Sequence, residues 1–304
     1  MPVDDVPPPE RLRTDILEVT ETPPLTRSTE FWFEDGVGGN VIRQVESTQF
    51  RLKKSVLSMH SSVFRGMFLL ALPEDETVDG CPVVVLSGDT LRDWVLFLGV
   101  IFPKFLGPSC PSLDLIAAIL RLGDKYDFSA FRRECIERLD EEFKATLHDY
   151  DEGDKRWPGF KSEDTFFLRL ASLAKEFDRP SLLPEIYYEL VTRSHYILIN
   201  PPASSDRLAC LTGYVNLLKL QSTTTLAWLD LDPPLHHIPS VGCSQHAACV
   251  AAVIGQSRVC VLKQWKKDWE DGMCRSCRTK AKAVYEAGRE VCWKQLPTVF
   301  GLPD

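Results

Sequence analysis

The stretch NVIRQVESTQFRLKKSVLSMHSSVF, residues 40–64, decides the fold. Its first half groups apolar residues in short runs divided by polar ones, which is typical of strands. In its second half Leu57 and Phe64 recur near helical spacing, which predicts helical structure. Ser61 and Ser62 predict a break between two short helices, because serine is a preferred N-cap residue. The stretch therefore predicts a strand hairpin followed by a linked helix pair.

The segments around this stretch extend the same domain in both directions. Phe31, Trp32 and Phe33 predict a strand before it, and the β-branched run at residues 83–86 predicts one after it. Three later segments repeat apolar residues at helical spacing: residues 91–101, 113–120 and 131–143. We therefore expect an α+β domain over residues 29–145, in which a small sheet is flanked by a helical cluster.

The rest of the chain divides by composition. Residues 1–28 are rich in proline and polar residues, which predicts a disordered tail. Residues 146–163 are acidic and are interrupted by glycine and proline, as expected for a linker. Residues 164–304 contain several apolar segments of helical spacing separated by prolines. We expect this last part to be an all-α carboxyl-terminal region.

The sequences of two segments resemble the BTB/POZ family. Residues 40–64 are similar to its "D-V-x-L … F-x-V-H-K-x-x-L … S-x-V-F" pattern, and LRLGDKYDFSAFRRECIERL, residues 120–139, is similar to its "A-D-K-Y … C … L" helix pair. The sequence departs from the family at Asn40, Lys53 and Gly123. The first two change charge and hydrogen-bonding capacity, so no specific charged partner pocket is carried over.

The resemblance implies a homodimer, formed through the first helices and the amino-terminal strand. In this sequence the implied dimer residues are Phe31, Phe33, Leu57, Met59 and Val63. The alternative is that these apolar side chains fill the core of the single chain.

Some relatives also bind a cullin-type ubiquitin ligase scaffold through an apolar-x-Glu motif after the second helix. Leu72 and Glu74 match this motif by position. The simpler interpretation is a solvated acidic loop, since Glu74 is followed by Asp75 and Glu76.

Charge and composition restrict the possible partners. The formal net charge of −8 argues against broad attraction to nucleic acid or to anionic membranes. The amino terminus lacks the apolar run of a signal peptide, and no apolar stretch approaches the ~20 residues of a membrane-spanning helix. We expect an intracellular protein of the cytoplasm or the nucleus.

The carboxyl-terminal region, which resembles the extension of fungal-type BTB proteins, contains seven of the ten cysteines. Cys274 and Cys277 have the two-residue gap of a zinc-binding pair, and Cys243 and Cys249 are candidates for the other two ligands. The gap of five residues in that second pair is wide, and His246 is an alternative ligand. A continuous helix between the two pairs would separate them by ~36 Å, so the site requires a chain reversal, for which residues 255–257 offer a break. Structural zinc and reduced, packed cysteines both remain open.

The sequence therefore predicts a homodimerising interaction module that acts as an adaptor or scaffold, with a cullin-type ubiquitin ligase as one candidate partner. The first alternative is a transcription or chromatin regulator that recruits partners through the same domain, and the second is a redox or metal-dependent enzyme. No carboxylates are paired at a spacing that suggests acid/base catalysis, so we do not expect an enzyme.

Overall fold

The computed structural model describes residues 24–34, 39–70, 77–85, 87–103, 111–143, 146–152, 165–192, 204–229, 240–251 and 261–303. The described strands are β1 Thr26–Trp32, β2 Asn40–Val45, β3 Thr48–Lys53, β4 Thr77–Val78 and β5 Cys81–Val85. The described α-helices of the amino-terminal half are α1 Lys54–His60, α2 Ser62–Leu69, α3 Leu91–Ile101, α4 Leu113–Tyr126 and α5 Ser129–Glu142. Those of the second half are α6 Leu147–Glu152, α7 Phe166–Glu176, α8 Leu183–Thr192, α9 Ser204–Thr223, α10 His246–Ala251 and α11 Arg275–Val299.

The strands form one sheet in the order β1-β3-β2-β5-β4, with β2 at its centre. Strand β2 pairs antiparallel with β3 and parallel with β5. Its side chains alternate between two apolar layers, because Val41 and Val45 join the main core while Ile42 joins a small cluster with Cys81 and Val83 on the opposite face. Both faces of β2 are thus buried, although three of its six residues, Asn40, Arg43 and Gln44, are polar.

The predicted break between the first two helices is confirmed at Ser61, which adopts an extended backbone conformation between α1 and α2. Its hydroxyl accepts a hydrogen bond from the Phe64 N–H at 3.0 Å, so it caps α2. The same hydroxyl donates to the carbonyl oxygen of Tyr126 at the end of α4. Ser61 therefore ends one helix, starts the next and ties the helix pair to the helical cluster.

A buried ion pair joins the sheet to that cluster. The Arg43 guanidinium on β2 contacts the carboxylate of Asp89, and their side chains are 1% and 2% exposed. Asp89 also accepts hydrogen bonds from the Trp94 indole at 2.9 Å, from Lys125 at 2.6 Å and from the Tyr126 hydroxyl. Although burial opposes the charged form, these hydrogen bonds hold the pKa of Asp89 below its ordinary value.

The second half of the chain packs on α4 and α5, and one main core runs through both halves. Ion pairs cross this boundary at Arg121 with Glu176, at Arg169 with Asp114 and at Arg179 with Asp140. The predicted α+β architecture with a helical carboxyl-terminal region is confirmed.

Two segments differ from what composition suggests. Strand β1 begins at Thr26, inside the segment assigned to the tail, and Phe31 is its one buried residue, so the strand shows little apolar pattern. Helix α6 lies in the acidic segment assigned to the linker. Leu147 is buried there, and Asp151 pairs with the buried guanidinium of Arg289. Acidic residues at this point serve tertiary contacts as well as solvation.

We expect Asp89→Ala to lower the free energy of unfolding by about 3–5 kcal/mol, because it leaves the Arg43 charge buried without its partner. Urea denaturation measures this difference. The control is Glu137→Ala, which removes an exposed partner of Arg133 and is expected to cost less than about 1 kcal/mol. Equal losses of unfolding free energy in the two variants would show that the buried pair stabilises the fold no more than an exposed one.

Candidate functional site

The helix pair α1–α2 exposes apolar side chains on its outer surface. Leu57 is fully buried beneath it, whereas Met59 is 70% exposed and Val63 is 40% exposed. Leu69 and Leu70 at the end of α2 are 83% and 72% exposed. Several exposed apolar side chains on one pair of helices are expected for an interaction surface.

The other residues of the predicted dimer surface lie deeper. Phe31 is 3% exposed and packs against Phe50 in the core, with ring centroids 6.3 Å apart. Phe33 is half-buried against Phe102, at 4.6 Å between centroids. Phe31 and Leu57 thus serve the core of the single chain, while Met59 and Val63 face outward. The candidate cullin-binding residues Leu72 and Glu74 lie outside the described residues.

Two departures from the family pattern have roles within the chain. Asn40 is buried at the start of β2, and its amide nitrogen donates to the Phe33 carbonyl at 2.9 Å. Gly123 faces Arg132 of α5, and a Cβ at this glycine would lie 3.0 Å from the Arg132 Cβ, which is tight. Asn40 thus fastens the segment after β1, and Gly123 permits the close approach of α4 and α5.

Four cysteines meet at the other end of the molecule. The sulfur atoms of Cys243, Cys249, Cys274 and Cys277 all lie within 4.8 Å of one another. We call this set the cysteine cluster. The sulfurs of Cys243 and Cys274 are 3.8 Å apart, far beyond the ~2.05 Å of a disulfide bond. The two pairs singled out from the sequence therefore do come together.

Local backbone geometry explains how the pairs meet. Cys274 is the N-cap residue of α11 and Cys277 lies in its first turn. Before α11 the chain passes through the short 3₁₀ turn Lys267–Glu270, so no single helix runs from one pair to the other. This satisfies the geometric requirement of the site. The predicted break at residues 255–257 lies outside the described residues, as does the side chain of His246.

Backbone N–H groups point at the sulfur atoms. The N–H of Cys274 donates to the Cys249 sulfur at 3.2 Å, and that of Ser240 donates to the Cys277 sulfur at 3.3 Å. A hydrogen bond from the Cys277 N–H lowers the pKa of Cys274 to about 6. Although the Gln245 N–H acts in the same direction on Cys243, desolvation and the neighbouring thiols raise the pKa of Cys243 to about 12. The cluster thus favours a thiolate at Cys274.

An aromatic shell surrounds the cysteine cluster and forms a second, smaller core. Trp228 and Tyr285 are buried in it, and the rings of Trp265 and Trp269 pack against Tyr285 at 5.4 Å and 5.1 Å. The tryptophans of residues 265 and 269 are visible in the sequence as a pair near the cysteines. Spacing along the chain does not identify Trp228 and Tyr285 as part of this shell, because the nearest cysteine of the cluster is 15 residues from Trp228 and eight residues from Tyr285.

Together, a small sheet, a helix pair and a helical cluster define an α+β domain with an exposed apolar surface. Residues 34–142 match the family model of the BTB/POZ domain. The chain therefore contains a BTB/POZ domain, a protein-protein interaction module. No curated protein matches the chain.

Among the described residues, no helix is both long enough and apolar enough to cross a bilayer.

We expect Gly288→Ala in α11 to destabilise the protein by about 1–3 kcal/mol, because an added Cβ would lie 2.5 Å from the backbone nitrogen of Thr225, just before Trp228. The control is Gly99→Ala, where the Cβ would meet nothing within 4 Å and alanine favours the helix by up to about 1 kcal/mol. The melting temperature and the urea midpoint should fall for Gly288→Ala and rise for Gly99→Ala. A stabilised Gly288→Ala protein would contradict the close packing of α11 on this segment.

Proposed function

We propose that the protein is a homodimeric adaptor or scaffold that binds other proteins and does not act as an enzyme. The BTB/POZ domain supplies the dimer, and the helical carboxyl-terminal region offers further surface for partners. The observation that carries the proposal is the exposure of Met59 and Val63 on the helix pair α1–α2, whose Leu57 is fully buried.

The apolar surface fits a symmetric interface. In a two-fold dimer the same patch is used by both copies, so an exposed apolar patch can cover itself. Met59 adds flexibility, since its thioether side chain adapts to irregular gaps. Leu69 at the end of α2 and its C-cap residue Leu70 are also exposed, so they offer further apolar surface near the helix pair.

We expect the wild-type chain to have a solution mass of twice 34.4 kDa, and Met59→Glu/Val63→Glu to have a mass of 34.4 kDa, because two copies would bury four carboxylates without partners. Sedimentation or light scattering measures both masses. The matched control is Val291→Glu on α11, since Val291 is also 40% exposed but lies in the other half of the chain. A wild-type chain that stays monomeric at high concentration would remove the dimer from the proposal.

A more specific form of this proposal is that the protein is an adaptor of a ubiquitin ligase, which rests on a sequence motif. Leu72 and Glu74 would provide the contact with a cullin-type scaffold, directly after the exposed end of α2. The contact remains a prediction from the motif.

We also propose that the cysteine cluster binds one structural zinc ion. Four thiolates are a common ligand set for structural zinc, and zinc–sulfur bonds of about 2.3 Å place neighbouring sulfurs of a tetrahedral site about 3.8 Å apart. The Cys243–Cys274 distance of 3.8 Å matches this spacing. Backbone N–H groups already donate to two of the sulfurs, as outer hydrogen bonds do at metal sites. The alternative is four reduced thiols packed as small apolar groups.

We expect the purified chain to contain one zinc ion per molecule, and Cys277→Ser to contain close to none, because a fully buried ligand is lost. Elemental analysis measures the metal, and a chelator should lower the melting temperature of the wild type but not that of the variant. The control is Cys135→Ser, a buried cysteine of α5 away from the cluster, which should keep its zinc. Wild-type protein without zinc would leave the packed thiols as the explanation.

A further inference from the structure

Helix α9 has apolar residues on two opposite faces. On one face Cys210 and Leu217 are fully buried, and Gly213 admits the ring of Phe300, which would collide with a Cβ there. On the other face four side chains remain exposed, and we call them the α9 stripe: Leu208 at 69%, Leu211 at 51%, Val215 at 48% and Leu218 at 43%. A helix that is apolar on two sides normally has neighbours on both.

The spacing of the α9 stripe is that of a helix-pairing seam. Its members recur at intervals of three, four and three residues, the a and d positions of two heptads. The stripe is about 15 Å long at 1.5 Å per residue, so it fits one helix of similar length.

The charged residues beside the α9 stripe indicate which kind of partner could bind there. Arg207 and Lys219 lie on opposite edges of the α9 stripe, and neither forms an ion pair with a described residue. The exposed residues of this face, Arg207, Leu208, Leu211, Thr212, Val215, Leu218, Lys219 and Ser222, include no carboxylate. Asp206 lies on the opposite, buried side, where it pairs with Lys175 and accepts from the Tyr187 hydroxyl at 2.7 Å. The face is thus cationic in a chain whose net charge is −8.

We propose that the α9 stripe docks an amphipathic helix of a partner protein, with leucine-type residues in its seam and acidic residues on both edges. The acidic edges would pair with Arg207 and Lys219. A second copy of the chain fits less well, because two stripes face to face bring four cations and no carboxylate to one interface. The surface is separate from the helix pair α1–α2, so the inference does not depend on the proposed dimer.

The probe is a synthetic helix of three heptads with leucine at positions a and d and glutamate at e and g. Its matched control has the same seam with lysine at e and g. Fluorescence anisotropy with the full chain should show the acidic peptide binding about tenfold more tightly at low salt, with the preference shrinking as salt screens the edges. Arg207→Glu/Lys219→Glu should reverse this preference in favour of the lysine peptide.

Leu211→Asp/Val215→Asp should bind neither peptide while keeping the wild-type melting temperature, because both side chains are about half exposed. Val291→Asp, an exposed valine on α11, should bind the acidic peptide as the wild type does. Equal affinity for the two peptides, or no binding of either, would overturn the proposal. A fall in the solution mass of Leu211→Asp/Val215→Asp below that of the wild type would assign the stripe to a second copy instead.

Discussion

The buried contact between Arg43 and Asp89 is the constraint on which the rest of the structure depends. It joins the central strand β2 to the turn before α3, and the Tyr126 hydroxyl brings the end of α4 to the same carboxylate. Two charges that are almost fully removed from water require a fixed geometry and additional hydrogen bonds. Sheet, α3 and α4 are therefore held in one arrangement. Helix α4 then presents Asp114 and Arg121 to the helices of the second half.

Much of this fold follows from local sequence. The helix pair is visible in the spacing of Leu57 and Phe64, and the serine at its break has the cap that serine predicts. Strand β1 and helix α6 are not visible in the same way. Their residues are mostly exposed or acidic, and tertiary contacts such as Asp151 with Arg289 decide their structure. The Arg43–Asp89 pair spans 46 positions, and no local pattern distinguishes Asp89 from an ordinary turn residue.

The candidate sites show the same division. The two-residue gap between Cys274 and Cys277 predicts a metal-binding pair, because both sulfur atoms can face one metal ion. Its shell includes Trp228 and Tyr285, which the spacing of cysteines does not identify. On the helix pair, Leu57 and Met59 are two positions apart, yet one is fully buried and the other is 70% exposed. Apolar character alone does not separate a core residue from an interface residue, since both types are apolar.

The small core around the cysteine cluster is attached to the main core at Leu262 and Lys263. Leu262 is buried in the main core, where its N–H donates to the Tyr188 hydroxyl at 3.1 Å and its carbonyl accepts from Arg289. One residue later, the Lys263 carbonyl accepts from the Tyr285 hydroxyl of the small core at 2.8 Å. A unit with few buried side chains opens at lower free energy than a large one. If the cysteine cluster binds zinc as proposed, loss of the metal would loosen the small core first, while the BTB/POZ domain stays folded and keeps its buried ion pair.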